Sequence, residues 1–186
     1  MQTHYTVSRQ LLNTYLRQRN LSDKASFLRR LSKRRQREDF LSFCEDKGLK
    51  GINSTHQTDG VLFHGSQINS STLMPNVSMG KYRVNQKSAF VYATDNPLYA
   101  IFLSLLHLRD GGASVETKKE TLKLSVDLDF VNGPSKIQKG FIHVVPKNKF
   151  VRKGKGEYIS KAKVDVLFTM QLKPEDLTVP VYIQMI

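Results

Sequence analysis

The arrangement of this chain is decided at residues 89–97, which read AFVYATDNP. The first four of these residues are apolar, as is typical of a buried strand. Asp95 or Asn96 can then cap a helix, and Pro97 occupies its first turn, where the missing N–H is not needed. We therefore predict a strand followed directly by a helix that stops near residues 111–112.

Downstream of that helix the sequence changes to the two-residue alternation of half-buried strands. The alternation covers residues 122–130 and parts of 140–145, 157–160, 164–172 and 179–183. Upstream, residues 61–63 form a second apolar run. The predicted order is strands, one helix and then a series of strands. A parallel doubly wound sheet needs crossover helices between successive strands, and this order has too few of them. The predicted fold class is α+β.

The first 50 residues predict two helices of their own. One runs from Ser8 to Leu16, and the other begins near Ser22 and continues to Gly48. The stretch after them has turn composition and no periodicity, which is typical of a linker. The predicted organisation is a basic helical segment at 1–50, a linker at 51–60 and a domain at 61–186.

The chain is strongly basic, since 29 Lys and Arg against 16 Asp and Glu leave a net charge of +13. Such a field favours a polyanionic partner. Residues 1–50 hold 12 basic and 5 acidic side chains, and positions 29–37 include no acidic one. A solvated helix face is the usual explanation of such a run. The alternative favoured here is a nucleic-acid contact made by Arg29, Arg30, Lys33, Arg34, Arg35 and Arg37.

Several classes of protein are disfavoured by the sequence. No run of about 18 apolar residues occurs, and Met1 to Tyr15 has polar residues throughout, so we expect no membrane association and a cytoplasmic location. No His and Cys cluster has metal-ligand spacing, so no metal is expected. Cys44 lies in a helical pattern and is expected to be a small buried hydrophobe.

Three short strings contain the candidate chemistry: LFHGS at 62–66, FVYAT at 90–94 and GEYIS at 156–160. Each alone is ordinary, because a strand histidine or tyrosine is usually structural and a glutamate after glycine usually lies in a solvated turn. In this order they resemble the ADP-ribosyltransferase superfamily, in its diphtheria-toxin and poly(ADP-ribose)-polymerase branch, which has a His, Tyr, Glu triad on successive strands. The resemblance covers roughly residues 61–172 and implies a split antiparallel β core that binds NAD.

The resemblance also implies a place for NAD. By similarity, His64 would hydrogen-bond the adenine-side ribose, and Gly65 would offer backbone groups to the nicotinamide carboxamide, with Ser66 nearby. Tyr92 would lie against the nicotinamide ring. Tyr99 either covers the other face of that ring or packs in the core.

Glu157 falls on the catalytic glutamate of the family. Cleaving the bond between ribose and nicotinamide puts positive charge on the sugar, and an ionised carboxylate near the ribose stabilises that transition state. The loop at 67–88 offers Lys81, Tyr82 or Arg83 to the pyrophosphate, and the sequence does not choose among them.

The expected activity is mono-ADP-ribosyl transfer to a macromolecule, with NAD as co-substrate. The basic helices favour RNA or DNA as the acceptor, in a toxin or effector that an acidic antitoxin or another protein would neutralise. A protein acceptor, a plain NAD glycohydrolase and a noncatalytic NAD- or ADP-ribose-binding module remain open.

Overall fold

A computed structural model describes residues 6–49, 60–76, 89–107, 113–118, 121–133 and 136–184. The predicted linker lies outside these residues except for Gly60, and so do Lys81, Tyr82 and Arg83. The protein is α+β, with a sheet that is mostly antiparallel, as the sequence predicts.

Five α-helices lie in the described residues. Their bounds are α1 (Arg9–Gln18), α2 (Lys24–Leu31), α3 (Arg34–Asp46), α4 (Pro97–Leu105) and α5 (Leu128–Asn132). The first helix is confirmed, with the Ser8 hydroxyl accepting from the Leu11 N–H at 3.2 Å. The predicted start of α4 is also confirmed, because the Asn96 side chain accepts from the N–H groups of Leu98 and Tyr99.

Other helix predictions were wrong in their bounds. The single helix expected from Ser22 to Gly48 is two helices, α2 and α3, and Asp23 rather than Ser22 caps the first. The helix expected to stop near residues 111–112 ends at Leu105, because the chain turns there into a strand. A short helix, α5, replaces the end of the alternating run at 122–130, since the Asp127 carboxylate caps it at the Phe130 N–H.

Fourteen strands lie in the described residues. Their bounds are β1 (Thr6–Val7), β2 (Val61–Ser66), β3 (Thr72–Leu73), β4 (Val91–Thr94), β5 (Leu106–His107), β6 (Ala113–Lys118), β7 (Thr121–Asp127), β8 (Lys136–Ile137), β9 (Gly140–Pro146), β10 (Val151–Arg152), β11 (Glu157–Ser160), β12 (Val164–Asp165), β13 (Phe168–Leu172) and β14 (Val181–Gln184). Two single-turn 3-10 helices occupy Lys147–Lys149 and Pro174–Asp176.

The main sheet has seven strands in the order β1-β13-β9-β2-β4-β11-β10. Its neighbours are antiparallel except β1 and β13, which run parallel. A separate three-stranded sheet has the order β14-β7-β6, and the pairs β12-β3 and β5-β8 complete the topology. The main sheet therefore brings β2, β4 and β11 side by side, and these strands contain the three candidate strings.

The helices of the basic segment pack directly on the main sheet. Buried apolar residues of α1, α2 and α3 belong to one cluster with residues of β2, β9, β13 and α4. The rings of Phe40 and Phe168, for example, have centroids 5.6 Å apart. The segment at 6–49 and the sheet therefore share one hydrophobic core.

Polar contacts tie the same segment to the chain beyond β13. The ammonium of Lys24 on α2 donates to Asp176, and the two side chains are only 5% and 7% exposed. Arg9 on α1 lies 3.5 Å from the same carboxylate. Burial lowers the pKa of Lys24, and the hydrogen bond to Asp176 opposes that shift. The pair is a buried electrostatic link between the two regions.

Cys44 is fully buried, as expected, and burial raises the pKa of its thiol to about 12, which keeps it protonated at neutral pH. Among the helices of the described residues, none combines the length and the apolar character that a membrane crossing requires.

Candidate active site where the main sheet divides

Strand β4 connects the two parts of the main sheet. Within the described residues, β2 pairs with β9 at six positions but with β4 at one, Phe63 with Thr94. On its other side, β4 pairs with β11 over four residues, and Thr94 lies opposite Glu157. After Phe63, β2 therefore continues to pair with β9 but no longer pairs with β4. The sheet divides between β2 and β4 from this point on.

The His64 ring bridges this division. Its Nδ1 lies 2.7 Å from the carbonyl oxygen of Tyr92. A carbonyl can only accept a hydrogen bond, so Nδ1 must hold a proton. Burial lowers the pKa of His64 below its usual value, while the bond to Tyr92 opposes that shift. At neutral pH the ring is therefore neutral, and its Nε2 can accept a hydrogen bond from a hydroxyl group.

The burial of His64 and its hydrogen bond to Tyr92 predict how the imidazole titrates. We expect His64 to titrate with a pKa below 6.5, the ordinary value, with the proton of its neutral form on Nδ1. Long-range nitrogen-proton NMR of the ring across pH 4–8 measures both properties. A midpoint at or above 6.5, or a neutral form protonated at Nε2, would contradict this description.

Tyr92 and Glu157 lie on the same face of the sheet. Residues directly opposite each other in an antiparallel pair share a face, and Glu157 is opposite Thr94 while Tyr92 is opposite Ile159. The two are thus diagonal neighbours, at a separation of about 7–8 Å that long side chains can span. Strand alternation puts His64 on the other face, so its ring approaches Tyr92 through the division between β2 and β4.

Glu157 is held at the start of β11 by a tight turn. Gly156 before it has φ +72°, a conformation that favours glycine. The Glu157 carbonyl accepts from the N–H groups of Lys153 and Gly154, at 2.9 and 3.3 Å. The Lys153 ammonium lies 5.3 Å from the centroid of the Tyr92 ring. The turn therefore positions both the carboxylate and a cation next to Tyr92.

The remaining predicted NAD contacts are half-buried. Gly65 lies against α4, since a Cβ there would be 2.3 Å from the Ala100 carbonyl oxygen, so no larger residue fits without backbone movement. The Ser66 hydroxyl accepts from the Ile68 N–H at 3.0 Å and so stabilises a turn. Tyr99 lies in the first turn of α4, where its N–H points to the Asn96 side chain.

His143 is a site residue that the sequence reasoning missed. It lies opposite His64 on β9, and the two rings stack with centroids 5.8 Å apart. It is fully buried, with its Nε2 3.0 Å from the Ile68 carbonyl oxygen and its Nδ1 2.7 Å from the Thr169 hydroxyl. His143 therefore supports His64 from behind and fixes the loop that follows Ser66. The only sequence signal was a polar residue within the apolar run of β9.

The predicted nucleic-acid surface is exposed in part. Arg29, Arg30, Lys33, Arg34 and Arg35 are exposed around the junction of α2 and α3. Arg34 makes an ion pair with Glu38 at 2.7 Å. Arg37 was wrongly included, because it is 1% exposed and its guanidinium donates to the Leu31 carbonyl at 2.8 Å. Its guanidinium provides a hydrogen-bond donor for a backbone carbonyl at the C-terminal end of α2, and the buried side chain cannot contact a nucleic acid.

The comparisons with known proteins give no family. No family model, no curated protein and no solved structure matches the chain.

Proposed function

We propose that this protein is a mono-ADP-ribosyltransferase that cleaves NAD and transfers ADP-ribose to a nucleic acid. The observation that supports it best is the arrangement at the division of the sheet. Tyr92 and Glu157 share a face on neighbouring strands, and a neutral His64 contacts the Tyr92 backbone. We further propose that the division between β2 and β4 corresponds to the split β core of the ADP-ribosyltransferases that the sequence resembles.

The side chains present suit the parts of NAD. Neutral His64 has an acceptor nitrogen for a ribose hydroxyl, and Tyr92 offers a flat ring to nicotinamide. Gly65 and Ser66 follow His64 on the same strand, and Tyr99 lies at the start of the helix after β4. No metal is required in this scheme. NAD acts as a substrate, whose bound orientation these residues set.

Glu157 has the chemical role in this proposal. The bond between the ribose anomeric carbon and the nicotinamide nitrogen breaks, and its electron pair leaves with nicotinamide. The sugar becomes cationic, and the Glu157 carboxylate stabilises it more than the ground state, in which the positive charge lies on the nicotinamide ring. A lone pair of the acceptor then bonds to the anomeric carbon, and the acceptor proton passes to water.

Charge is the reason for proposing a nucleic acid as acceptor. Five exposed basic residues cluster at the junction of α2 and α3, on a chain of net charge +13. Contacts between cations and phosphates supply affinity without regard to sequence. Such an enzyme suits a toxin or effector, and the same basic surface would suit an acidic neutralising protein.

The test is nicotinamide release from NAD, measured alone and with RNA, single-stranded DNA, duplex DNA or protein added. Mass spectrometry of each acceptor follows the attached ADP-ribose. The proposal expects release together with modification of a nucleic acid. Modification of protein alone would indicate a protein acceptor, release with no modified acceptor a glycohydrolase, and NAD binding without release a noncatalytic module.

His64→Ala and Tyr92→Ala are expected to act through the positioning of NAD. Both remove a contact to the substrate but leave Glu157 in place, so the apparent KM for NAD should rise by about tenfold or more. Steady-state kinetics and calorimetry on the folded variants measure this effect. Unchanged affinity for NAD in both variants would place the NAD site elsewhere.

A further inference from the structure

A small cavity lies between the basic helices and the main sheet. Its volume is about 160 Å³, and it is lined by Arg29, Ser32, Gly60, Val61, Phe63, Asp95 and Lys147. Pockets for drug-sized ligands have about 300–1,000 Å³, so this one suits a single group of a larger molecule. The cavity is thus too small for NAD.

Two basic residues from different elements line this cavity. Arg29 projects from the last turn of α2, and Lys147 lies in the 3-10 helix after β9. Both side chains are exposed, so they can contact a ligand that arrives from solvent. The Lys147 ammonium is placed 5.3 Å from the Tyr158 ring centroid, and its backbone N–H donates to the Gly60 carbonyl at 3.1 Å. The lysine is therefore held at the rim of the cavity, with its ammonium on the Tyr158 side of the sheet.

The buried Arg37 makes this end of α2 compatible with an anion. A helix C-terminus carries partial negative charge that would repel a phosphate. The Arg37 guanidinium lies on the Leu31 carbonyl and offsets that charge. Arg37, although buried, thus reduces the negative charge at this end of α2, and the exposed Arg29 can contact a ligand.

Among the described residues that line the cavity, Asp95 is the acidic one. The Asp95 carboxylate accepts from the Tyr158 hydroxyl at 3.1 Å and lies on the side facing Gly156. Arg29 and Lys147 against this carboxylate make the described part of the lining positively charged. A monoanionic phosphodiester meets this charge better than a neutral group or a cation would.

The cavity lies at the ends of β2 and β4, and Phe63 in its lining shares the sheet face of Glu157. Phe63 lines the cavity and pairs with Thr94, which pairs in turn with Glu157 across the next strand. Two strand spacings separate Phe63 from Glu157, or about 10 Å. That distance spans about three stacked nucleotides. Phe63 and Thr94 are themselves buried, so the route from the cavity to the carboxylate runs along the strand ends, past Asp95 and Gly156.

We propose that this cavity binds one backbone phosphate of the nucleic-acid acceptor and thereby places a nearby nucleotide at Glu157. The proposal rests on the proposed function and assigns the acceptor contact to Arg29 and Lys147. The other exposed cations, Arg30, Lys33, Arg34 and Arg35, contribute a general attractive field.

Two charge reversals in one helical turn test the assignment. Arg29→Glu and Arg30→Glu change the net charge equally, but only Arg29 lines the cavity. Binding of a fluorescent single-stranded oligonucleotide should weaken about tenfold more in R29E than in R30E. The salt dependence should also become flatter in R29E by about one phosphate contact. Equal effects of the two variants would overturn the assignment in favour of a diffuse field.

A second pair of variants tests Lys147. Lys147→Gln should weaken the same binding, whereas Lys149→Gln, in the same exposed 3-10 helix, should change it little. Asp95→Asn should strengthen binding, because it removes a carboxylate from the lining of the cavity and keeps the side-chain shape. A merely structural role for Asp95 would give no gain, and that result would contradict the proposal.

Two controls complete the experiment. The first distinguishes an internal phosphate from a terminal one, and the second tests the proposed enzymatic activity separately from binding. Oligonucleotides with a 5′-phosphate or a 5′-hydroxyl should bind alike if an internal phosphodiester occupies the cavity, and a preference for the 5′-phosphate would overturn that choice. Nicotinamide release by the wild type without nucleic acid is recorded in parallel. If release is absent, the proposed function fails, while the comparison of R29E with R30E still decides the phosphate site.

Discussion

Glu157→Gln is expected to lower the turnover of NAD by about 100-fold or more while NAD still binds. The amide keeps the shape of the side chain but lacks the negative charge that stabilises the cationic ribose. Glu157 is half-buried at the start of β11, next to the Tyr92 face, so its charge is less screened than that of a surface group. Single-turnover nicotinamide release and calorimetry with NAD separate the chemical step from binding.

Glu45→Gln provides the matched control, because it makes the same chemical change at an exposed position of α3. Its turnover should equal that of the wild type. If E157Q also keeps near-normal turnover with an unchanged melting temperature, the proposed role of Glu157 is wrong.

The largest expected effect on stability belongs to Lys24→Met. It leaves Arg9, 3.5 Å away, as the remaining cation at the buried Asp176 carboxylate, so the loss should lie near the lower end of the about 3–5 kcal/mol that breaking a buried ion pair from one side costs. For a chain of this size the melting temperature should fall by roughly 10 °C. Thermal unfolding followed by circular dichroism measures the change.

Lys33→Met removes a lysine from an exposed position between α2 and α3 and should change stability by about 0.5 kcal/mol or less. Equal melting temperatures for K24M and K33M would show that the Lys24–Asp176 pair contributes no net stability. The double variant Lys24→Met with Asp176→Asn should lose less than the sum of the single changes, because the two side chains act as a pair.

Local patterns in the sequence predicted the elements that depend on local interactions. Asn96 and Pro97 fixed the start of α4, because capping requires only the residues of the first turn. The predicted strand at 157–160 has the bounds of β11. The break between α2 and α3 was missed, since it lies at Ser32 and Lys33 without a glycine or proline. There the guanidinium of Arg37 satisfies the end of α2, an arrangement that periodicity cannot reveal.

The sequence predicted the three strings that contain the candidate site, but not that they lie next to one another in the sheet. The sequence indicated His64, Tyr92 and Glu157, but the pairing of β4 between β2 and β11 comes from contacts distant in the chain. His143 stacks on His64 through the pairing of β2 with β9, and the Arg29–Lys147 cavity depends on the approach of the end of α2 to β2. Arg37 was assigned to the surface because its neighbours are basic and exposed, whereas burial is decided by tertiary packing.

The parallel pairing of Thr6–Val7 with Thr169–Met170 also has a consequence for biosynthesis. A ribosome adds about 5–20 residues per second, so β1 and the basic helices precede their partner strand β13 by roughly ten to thirty seconds. During that interval the apolar faces of α1, α2 and α3 lack the part of their core that β13 supplies. Long-range pairings of this kind also slow folding after synthesis. Residues 6–49 therefore remain a basic, incompletely packed segment until β13 has been made, and the main sheet is completed only then.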